Sequence, residues 1–425
     1  MTTEKVDVLV IGAGPSGTVA ASIINRAGFT TKIVEKEQFP RFVIGESLLP
    51  RCMEALEAAG FLEAVKAQGF QEKFGAKFVN TKGDIMDFNF SDQFTKGWSW
   101  TFQMPRADFD LTLANEVQKM GVPLEYKTTV THIDFHGTHS ITTTVDANGN
   151  EKKIEARFIV DASGYGRVIP KLFNLDRPSH LPPRKALFSH IKDPRRMNYV
   201  EPNRILIVDH APGVWIWCIP FSNGTTSVGF VGSPEFFEGF NGTPEEHLRQ
   251  LISTDPHLAE RFGESEMLWE PRTIAGWSTT IDKFYGDGYV LTGNVTEFLD
   301  PIFSSGVTLA TVSSHLAANL VVKQLQGEKV DWQKEYQDVA MIGVDTFRTY
   351  VMGWYDGSLQ TVFFAKETQH DVIQQICSVL AGYVWDQENP YVREHQTRLK
   401  RLARLIDVEQ RLRESARLID EQAKV

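Results

Sequence analysis

The sequence predicts a mixed α/β and α+β protein with three parts: a three-layer domain built on a parallel sheet with a three-stranded meander, an antiparallel sheet domain, and a helical C-terminal region. Three observations support this prediction. A short apolar run, a glycine-rich turn and a helical pattern follow one another from residue 6 onward. Residues 185–235 alternate and are rich in Val, Ile, Trp and Phe, and the pattern after residue 330 is helical.

The three-layer domain is predicted from the first thirty-five residues. Val6, Val8, Val10 and Ile11 form a short apolar run of β-branched residues that is typical of a central parallel strand. Gly12, Gly14 and Gly17 complete the pattern G-x-G-x-x-G at the start of a helix. These glycines allow a tight turn, close approach of the main chain to a pyrophosphate, and close packing of helix on strand. A second strand ends at Glu35, which is placed to bind a ribose hydroxyl, so the order predicts a Rossmann-type dinucleotide site.

Composition limits the classes of function. The chain has 425 residues, enough for several structural layers, and its 54 acidic residues exceed its 44 basic ones, which argues against general nucleic-acid binding. We find no apolar run of about 18 residues. Met1–Lys5 leads directly into the first strand, so no signal peptide is expected. Cys52, Cys218 and Cys377 are too few and too far apart for a disulfide framework, and we expect a cytoplasmic protein.

The remaining elements follow from the spacing of apolar residues. Helical spacing predicts helices at 18–27, 51–68, 107–119 and 244–262, and a helix of small residues that ends at 322. Apolar or alternating runs predict strands at 73–80, 83–90, 159–160 and 288–292, and a meander over 124–135 and 141–158 with a hairpin turn at Asn148-Gly149.

Two further stretches have more than one interpretation. His132, His136 and His139 are closely spaced, but no cysteine or carboxylate cluster accompanies them, and no metal site is expected. Residues 393–423 predict an amphipathic helix. We expect this helix to pack on its own domain; the contact of a homodimer is the main alternative, and adhesion to a membrane is a more distant one.

Three strand-ending segments stand out, at Gly12–Gly17, Asp161–Gly164 and from Gly293 onward. With these segments, residues 1–345 resemble the FAD-dependent monooxygenase superfamily built like p-hydroxybenzoate hydroxylase. The resemblance implies a Rossmann-type FAD-binding domain with FAD between the three segments. It implies cofactor contacts from Gly12, Ala13, Gly14, Pro15, Ser16, Gly17, Glu35, Lys36, Glu46, Ser47, Arg106, Val130, Asp161, Gly164, Asn294, Pro301, Ser305, Gly306 and Val307.

One departure from the superfamily concerns Asn294. Most members read Gly-Asp where this chain has Gly293-Asn294. Asparagine keeps an acceptor oxygen and loses the charge. We therefore expect FAD binding to be kept but altered.

The resemblance also divides the chain. A discontinuous FAD-binding module is expected over 1–70, 98–182 and 268–345. The substrate sheet domain is expected over 71–97 and 183–267, and the helical region over 346–425.

A narrower resemblance lies in the segment 215–220, which reads W-x-W-x-I-P and is similar to the signature of flavin-dependent halogenases. Alternate residues of a strand share one face, so Trp215 and Trp217 are expected to wall off the space over the flavin. The resemblance implies that this pair keeps the organic substrate away from the flavin hydroperoxide. Lys73 matches the essential lysine of that family, which hydrogen-bonds hypohalous acid or forms a chloramine. Burial would lower the pKa of such a lysine.

The segment 300–307 resembles the D-P-x-F-S-S-G-V motif of phenol- and pyrrole-type halogenases. Successive N–H groups before a helix form a nest for an anion, and Ser305 and Gly306 are expected to bind halide. We find no counterpart of the catalytic glutamate of tryptophan-type halogenases. This favours an electron-rich ring that needs no added base.

The halogenase resemblance implies a two-component enzyme that uses FAD, supplied in reduced form by a separate reductase, and chloride or bromide. It acts through the flavin C4a-hydroperoxide and hypohalous acid on a phenol or pyrrole, either free or tethered to a carrier protein. An aromatic monooxygenase is one alternative. A reductase resembling geranylgeranyl reductases is another, because residues 45–50 read G-E-S-x-L-P. A flavin-binding protein without enzymatic activity is a more distant third.

Overall fold

The computed structural model describes residues 3–179, 181–240, 242–365 and 369–422. Its strands, in chain order, are β1 (Glu4–Ile11), β2 (Thr31–Val34), β3 (Gln71–Lys73), β4 (Gly75–Val79), β5 (Ile85–Asn89), β6 (Thr101–Gln103), β7 (Leu124–Glu125), β8 (Thr129–Phe135), β9 (Ser140–Val145), β10 (Glu151–Asp161), β11 (Asp176–Arg177), β12 (Lys185–Lys192), β13 (Ile205–Ala211), β14 (Val214–Pro220), β15 (Thr225–Gly232), β16 (Arg272–Ala275), β17 (Thr280–Ile281), β18 (Tyr285–Gly286) and β19 (Tyr289–Leu291).

Helices alternate with these strands and dominate the C-terminal part. They are α1 (Pro15–Arg26), α2 (Cys52–Ala58), α3 (Leu62–Lys66), α4 (Arg106–Lys119), α5 (Val168–Leu172), α6 (Pro244–Ser253), α7 (Pro256–Phe262), α8 (Ser305–Leu325), α9 (Asp338–Tyr355), α10 (Ser358–Phe363), α11 (His370–Leu380), α12 (Pro390–Arg393) and α13 (His395–Gln422). The mixed fold class is confirmed.

The first sheet has the predicted parallel core. In the described residues its order is β18-β19-β10-β1-β2-β7, and β1 runs parallel to both β10 and β2. The N-terminal half of β10 also pairs antiparallel with β9, which pairs with β8, so the predicted meander is confirmed. The side chains of residues 8–11 are buried, as expected for a central strand covered on both faces.

The turn from β1 into α1 depends on the absence of side chains at two glycines. Gly12 has a φ of 97°, and a Cβ there would lie 2.6 Å from the carbonyl oxygen of Ala162. A Cβ on Gly17 would lie 1.9 Å from the carbonyl oxygen of Gly12. Both positions therefore require glycine, and α1 can pack directly behind the turn.

The second sheet confirms the antiparallel prediction for 185–235. Its order is β16-β12-β15-β14-β13-β4-β5, with β13 and β4 as a parallel pair. β16 belongs to this sheet although it lies beyond the expected boundary at residue 267. Residues 205, 207, 215, 217 and 219 share the face that is turned toward the first domain.

Three predicted elements are each divided in the structure. The predicted strand 73–80 separates at Phe74, because β3 pairs with β6 whereas β4 pairs with β5. The predicted helix 51–68 is interrupted at Gly60, which has a φ of 75°. The predicted helix 244–262 restarts at Pro256, where Asp255 caps α7 by accepting hydrogen bonds from the N–H groups of His257 and Leu258. Proline at the first position and a capping carboxylate favour a new helix.

The C-terminal helices cover the second sheet with an aromatic core. Phe363 of α10 lies 5.0 Å from Phe78 and 4.9 Å from Phe88, ring centroid to ring centroid. α8 is long and apolar enough to cross a membrane by length and composition, but 67% of its most apolar stretch is buried inside the protein. α8 is therefore a core helix. The predicted helix 393–423 corresponds to α13, and residue 423 lies outside the described residues.

The close contact at Gly17 generates a stability prediction. Gly17→Ala should lower the free energy of unfolding by about 1–3 kcal/mol, because the new methyl group must displace the Gly12 carbonyl. Urea unfolding followed by circular dichroism measures this change. Gly14→Ala is the matched control: its Cβ would meet nothing closer than Arg41 Nη2 at 3.6 Å, and it should cost less than about 1 kcal/mol. Equal losses in both variants would contradict the steric explanation.

Candidate active site

A cavity of about 710 Å³ lies where the carboxyl ends of the parallel strands face the second sheet. Gly12 and residues 14–16 line it after β1, residues 162–166 after β10, and Asn294 after β19. The opposite wall is the apolar face of the second sheet. Ligands of open parallel sheets bind outside the carboxyl ends of the strands, so this is the expected position for the dinucleotide.

The first end of the cavity has the features of a dinucleotide site. Gly12 and Gly14 expose main chain to the cavity, and α1 points its N-terminus toward it. Glu35 is buried at the end of β2; its Oε2 accepts a hydrogen bond from Ala13 N at 2.8 Å and its Oε1 accepts one from Glu37 N at 2.9 Å. These two bonds fix the Glu35 carboxylate at the cavity wall.

Two arginines supply positive charge to the same wall. Arg106, at the beginning of α4, donates from Nε to Asp110 Oδ1 at 2.8 Å and from Nη2 to Oδ2 at 3.0 Å. Arg41 donates from Nη1 to the same Oδ2 at 3.0 Å. One buried carboxylate thus orients two guanidinium groups, and the net positive charge suits a pyrophosphate.

The segment 45–47 connects the cavity to its surroundings. Arg106 Nη1 donates to the carbonyl oxygen of Gly45 at 3.3 Å. Glu46 is buried, with its Oε1 2.6 Å from His190 Nε2 of the second sheet. Ser47 Oγ accepts a hydrogen bond from Lys73 Nζ at 2.8 Å. Three consecutive residues therefore contact the cofactor wall, the second sheet and the predicted catalytic lysine.

Lys73 lies outside the large cavity. Its side chain is 2% exposed, and besides Ser47 its Nζ donates to the carbonyl oxygen of Leu48 at 2.9 Å. It lines a second, small cavity of about 10 Å³, which is room for roughly one water molecule. Burial lowers the pKa of Lys73 to about 7.

A thin wall separates the two cavities. Ile205, Ile207, Ile302 and Ser304 line both of them. Lys73 is therefore separated from the large cavity by single side chains. A second chamber large enough for an aromatic ring is not open beside Lys73 in the described residues.

Trp215 and Trp217 line the large cavity from β14, with ring centroids 5.9 Å apart. Trp217 Nε1 donates to Ser227 Oγ at 3.0 Å. The indole of Trp217 packs directly on Gly229, because a Cβ on Gly229 would lie 2.2 Å from Trp217 Cζ2. Trp215 Nε1 donates to the hydroxyl of Tyr355 at 3.0 Å. Both indoles are thus held at their polar ends.

Tyr355 extends this support to the turn before α8. Its hydroxyl donates to Asp300 Oδ2 at 2.8 Å, and the guanidinium of Arg184 lies 4.0 Å from its ring centroid. Asp300 Oδ1 accepts from Ile302 N at 3.2 Å. Burial raises the pKa of Asp300 to about 6. A chain of hydrogen bonds therefore joins the sheet, the C-terminal helices and the turn 300–304.

In the predicted halide segment, the serine that lines the cavities is Ser304, whereas Ser305 was expected. Ser304 adopts a left-handed φ of 56° and lines both cavities, and Gly306 lines the large one. Ser305 begins α8 with its side chain buried, outside the lining of either cavity. An anion at this turn would meet Ser304 and Gly306 rather than the Ser305 side chain.

Most of the predicted cofactor residues line the large cavity. They are Gly12, Gly14, Pro15, Ser16, Glu35, Lys36, Glu46, Ser47, Arg106, Gly164, Asn294, Pro301, Gly306 and Val307.

The other predicted cofactor residues lie behind this lining. Gly17 packs under Gly12, and the N–H of Ala13 is directed at Glu35. Val130 is buried in the hydrophobic core. Asp161 accepts hydrogen bonds from Ser163 N at 3.0 Å and Ile169 N at 2.7 Å, so its carboxylate fixes the turn after β10.

Some lining residues were not predicted, among them Arg41, Tyr165, Ser304, Trp277 and Phe298. Arg41 carried a signal, because it follows Pro40 just after the acid that ends β2. The others come from loops whose position depends on long-range packing.

The three histidines of the meander do not form a site. His132 Nε2 lies 2.9 Å from Asp134 Oδ1, and the rings of His136 and His139 stack on each other. Among the residues that the structure describes, no group of three or more histidine, cysteine or acidic side chains is placed to hold a metal ion.

The cavity fits FAD. Its first end combines glycine main chain, a helix N-terminus, a fixed acid and two arginines, which are the groups needed for the ADP portion. Its second end is apolar and aromatic, as a planar ring system requires. The site therefore defines an FAD-dependent enzyme of the oxidoreductase class.

Comparison with known proteins agrees with this class. A family model described as "FAD binding domain" matches residues 5–291, and the chain belongs to that family of flavoproteins.

Three similar proteins extend the comparison. A crystal structure of a flavoprotein/dehydrogenase from Cytophaga hutchinsonii is 61% identical, covers 96% of this chain and all of that one, and superposes with a TM-score of 0.94. The flavin-dependent brominase Bmp2 is 25% identical over 96% of this chain and all of its own, with a TM-score of 0.79. A 1H-pyrrole-2-carbonyl-[peptidyl-carrier protein] chlorinase from Pseudomonas fluorescens is 25% identical over 88% of this chain and 89% of its own. The chain is thus a homologue of flavin-dependent halogenases.

The lowered pKa of Lys73 generates a prediction for stability against pH. The unfolded lysine binds a proton up to about pH 10.5, whereas the folded one loses it near pH 7. In this window the unfolded state binds more protons, so the folded state gains stability as pH rises. Between pH 7 and 10, the free energy of unfolding of the wild type should rise by on the order of 4 kcal/mol relative to that of Lys73→Met. Urea unfolding across pH measures the difference.

The control for this experiment is Lys77→Met. Lys77 is only partly buried and lies 4.0 Å from Asp87. The difference in unfolding free energy between wild type and Lys77→Met should stay nearly constant over the same pH range. A flat difference for Lys73→Met as well would show that its amine is not desolvated.

The hydrogen bonds of Tyr355 generate a second prediction for this site. Tyr355→Phe leaves Trp215 Nε1 without its acceptor and Asp300 without one donor. We expect a loss of about 1–3 kcal/mol in the free energy of unfolding, since buried polar groups lose their partners. Tyr285→Phe, which removes one exposed bond to Gln333, should cost less than about 0.5 kcal/mol. Chemical denaturation compares the two; equal values would contradict the proposed support.

Proposed function

We propose that this protein is the halogenating component of a two-component, FAD-dependent halogenase. It incorporates chloride or bromide into an electron-rich aromatic ring, a phenol or a pyrrole. The single observation that carries the proposal is a fully buried lysine with a lowered pKa, separated from the FAD cavity by single side chains. An aromatic monooxygenase or a flavin reductase has no evident use for such an amine.

FAD, when bound and reduced, supplies the electrons with which dioxygen is activated to oxidise halide. The chain's own residues would hold it: the glycine turn and the N-terminus of α1 line the end of the cavity suited to the phosphates, Glu35 would bind the ribose, and Arg106 with Arg41 would neutralise the pyrophosphate. Ser304 and the main chain at Gly306 lie on the wall between this cavity and Lys73. Halide bound at that turn would be next to both.

Lys73 holds the oxidised halide. A lysine with a pKa near 7 is about half neutral at physiological pH. The neutral amine has a lone pair that accepts a hydrogen bond from hypohalous acid. Alternatively, the lone pair attacks the halogen: the nitrogen–halogen bond forms as the oxygen–halogen bond breaks, and the hydroxide leaves as water with one proton of the amine. Ser47 Oγ and the carbonyl oxygen of Leu48 accept two of the amine's hydrogen bonds and so orient it. The wall around it keeps out the water into which a reactive halogen species would otherwise be lost.

Trp215 and Trp217 keep the organic substrate away from the FAD cavity. Their indoles are immobilised by Tyr355 and Ser227. A fixed aromatic wall excludes a second ring from the flavin face, so oxidised halide rather than oxygen reaches the substrate. Because the cavity beside Lys73 holds about one water molecule, the substrate must open additional space there when it binds.

The finer parts of the proposal concern partners and location. The similarity to a chlorinase that acts on a pyrrole carried by a peptidyl-carrier protein supports a carrier-tethered pyrrole as substrate. Only one complete G-x-G-x-x-G follows a strand, which supports a separate reductase as the source of reduced FAD. The enzyme would work in the cytoplasm.

A flavin dehydrogenase is the second candidate. Two observations favour it: the cavity beside Lys73 is too small for an aromatic ring, and the similar protein from Cytophaga hutchinsonii is described as a flavoprotein/dehydrogenase. In that case the substrate would lie in the large cavity against the flavin, and the tryptophans would be part of its binding wall.

The test is a halogenation assay with a panel of phenols and pyrroles, free and carrier-bound. A flavin reductase with NADH supplies reduced FAD, bromide or chloride is added, and products are identified by mass spectrometry. We expect a halogenated product from the wild type and from Lys77→Ala. In Lys73→Ala the rate of halogenated product formation should fall at least about 100-fold, while the variant still binds FAD and releases hydrogen peroxide.

Two outcomes contradict the proposal. Unchanged halogenation by Lys73→Ala would remove the role of the amine. Oxidation or reduction of a substrate without any need for halide, with no halogenated product across the panel, would establish the dehydrogenase instead.

A further inference from the structure

The C-terminal helix projects from the protein. In its first half, Leu399, Ala403 and Ile406 are buried, and α13 packs against α9, α10 and α12. From Val408 to Ile419 every residue is exposed. The second half of α13 therefore has no packing partner in the described part of the chain.

The projecting half has an apolar stripe. Leu405, Val408, Leu412 and Ile419 are 62%, 54%, 65% and 66% exposed. Their spacing of three, four and seven residues places Leu405 and Val408 at positions a and d of one heptad. Leu412 is then at a of the second heptad, with the small Ser415 at its d, and Ile419 is at a of the third. A lone helical segment of this length is marginal in water, and its apolar stripe requires a partner.

Two charged residues beside the stripe indicate which partner. Arg404 takes position g and Glu409 takes position e of the following heptad. In a parallel two-stranded coiled coil, g of one helix meets e of the next heptad on the other helix. The two residues are five apart, so they cannot pair on one helix.

Other charged residues of the projecting half have partners on the same helix, unlike Arg404 and Glu409. Arg411 pairs with Asp407, and Arg417 pairs with Glu421, both at the i, i+4 spacing. Neither Arg404 nor Glu409 forms an ion pair with the residues that the structure describes. In a symmetric dimer, Arg404 of each chain would pair with Glu409 of the other chain, which gives two ion pairs.

We propose that α13 forms a parallel, two-stranded coiled coil with α13 of a second copy, so that the protein is a homodimer. An antiparallel pair would bring g against g, where Arg404 and Arg411 would repel each other. Leu418, which is 55% exposed at position g, borders the stripe, and Arg404, Glu409 and Arg411 occupy other flanking e and g positions. Such charged edges fit one facing helix better than a membrane surface. This proposal does not depend on the halogenase function.

The first test is sedimentation velocity of the full chain with FAD bound, over a concentration series. The wild type should approach twice the 48.0 kDa of one chain as concentration rises. Leu412→Glu should be a monomer at every concentration, because it places two charges in the seam. Gln410→Glu, at the outer position f, adds the same charge and should remain a dimer.

The second test determines the orientation. Arg404→Glu and Glu409→Arg should each raise the dimer dissociation constant about tenfold, and the double variant Arg404→Glu/Glu409→Arg should restore it. All variants change exposed side chains, and circular dichroism verifies their folding. A wild type that stays monomeric, a dimer insensitive to Leu412→Glu, or a dimer strengthened by Arg404→Glu would each overturn the proposal.

Discussion

The segment 45–47 is the contact on which the arrangement of the site depends. Its three residues meet Arg106 of the nucleotide-binding part, His190 of the second sheet and Lys73 of the short β3–β6 ribbon. Three parts that belong to different regions of the sequence are thereby fixed to one short stretch of backbone. The distance between the FAD cavity and the buried amine follows from this constraint.

Burial shifts the pKa values of two ionisable groups at the site in opposite directions. Desolvation disfavours the charged form of a lysine and the charged form of a carboxylate, so it lowers the pKa of Lys73 and raises that of Asp300. The same burial makes unpaired polar atoms costly. Tyr355 accepts a hydrogen bond from Trp215 and donates one to Asp300, so the polar atoms of all three side chains have partners. These bonds also fix one wall of the cavity.

The two candidate reactions share the fold and the cofactor and differ in where the substrate lies. A substrate beyond the wall of Ile205, Ile207 and Ile302 would receive halogen from Lys73. A substrate in the large cavity would exchange hydride with the flavin directly. Family membership alone does not separate these reactions, because function resides in the site rather than in the fold.

The sequence by itself determined the elements whose signals are local. Gly12, Gly17 and Glu35 were predictable because a turn, a helix start and a strand end follow from neighbouring residues, and the parallel core and the alternating sheet were predictable from periodicity. Only the tertiary structure decided that Ser304 rather than Ser305 faces the cavities and that Tyr355 supports Trp215. It also decided the burial of Lys73, because burial, pKa and hydrogen-bond partners depend on residues distant in the chain.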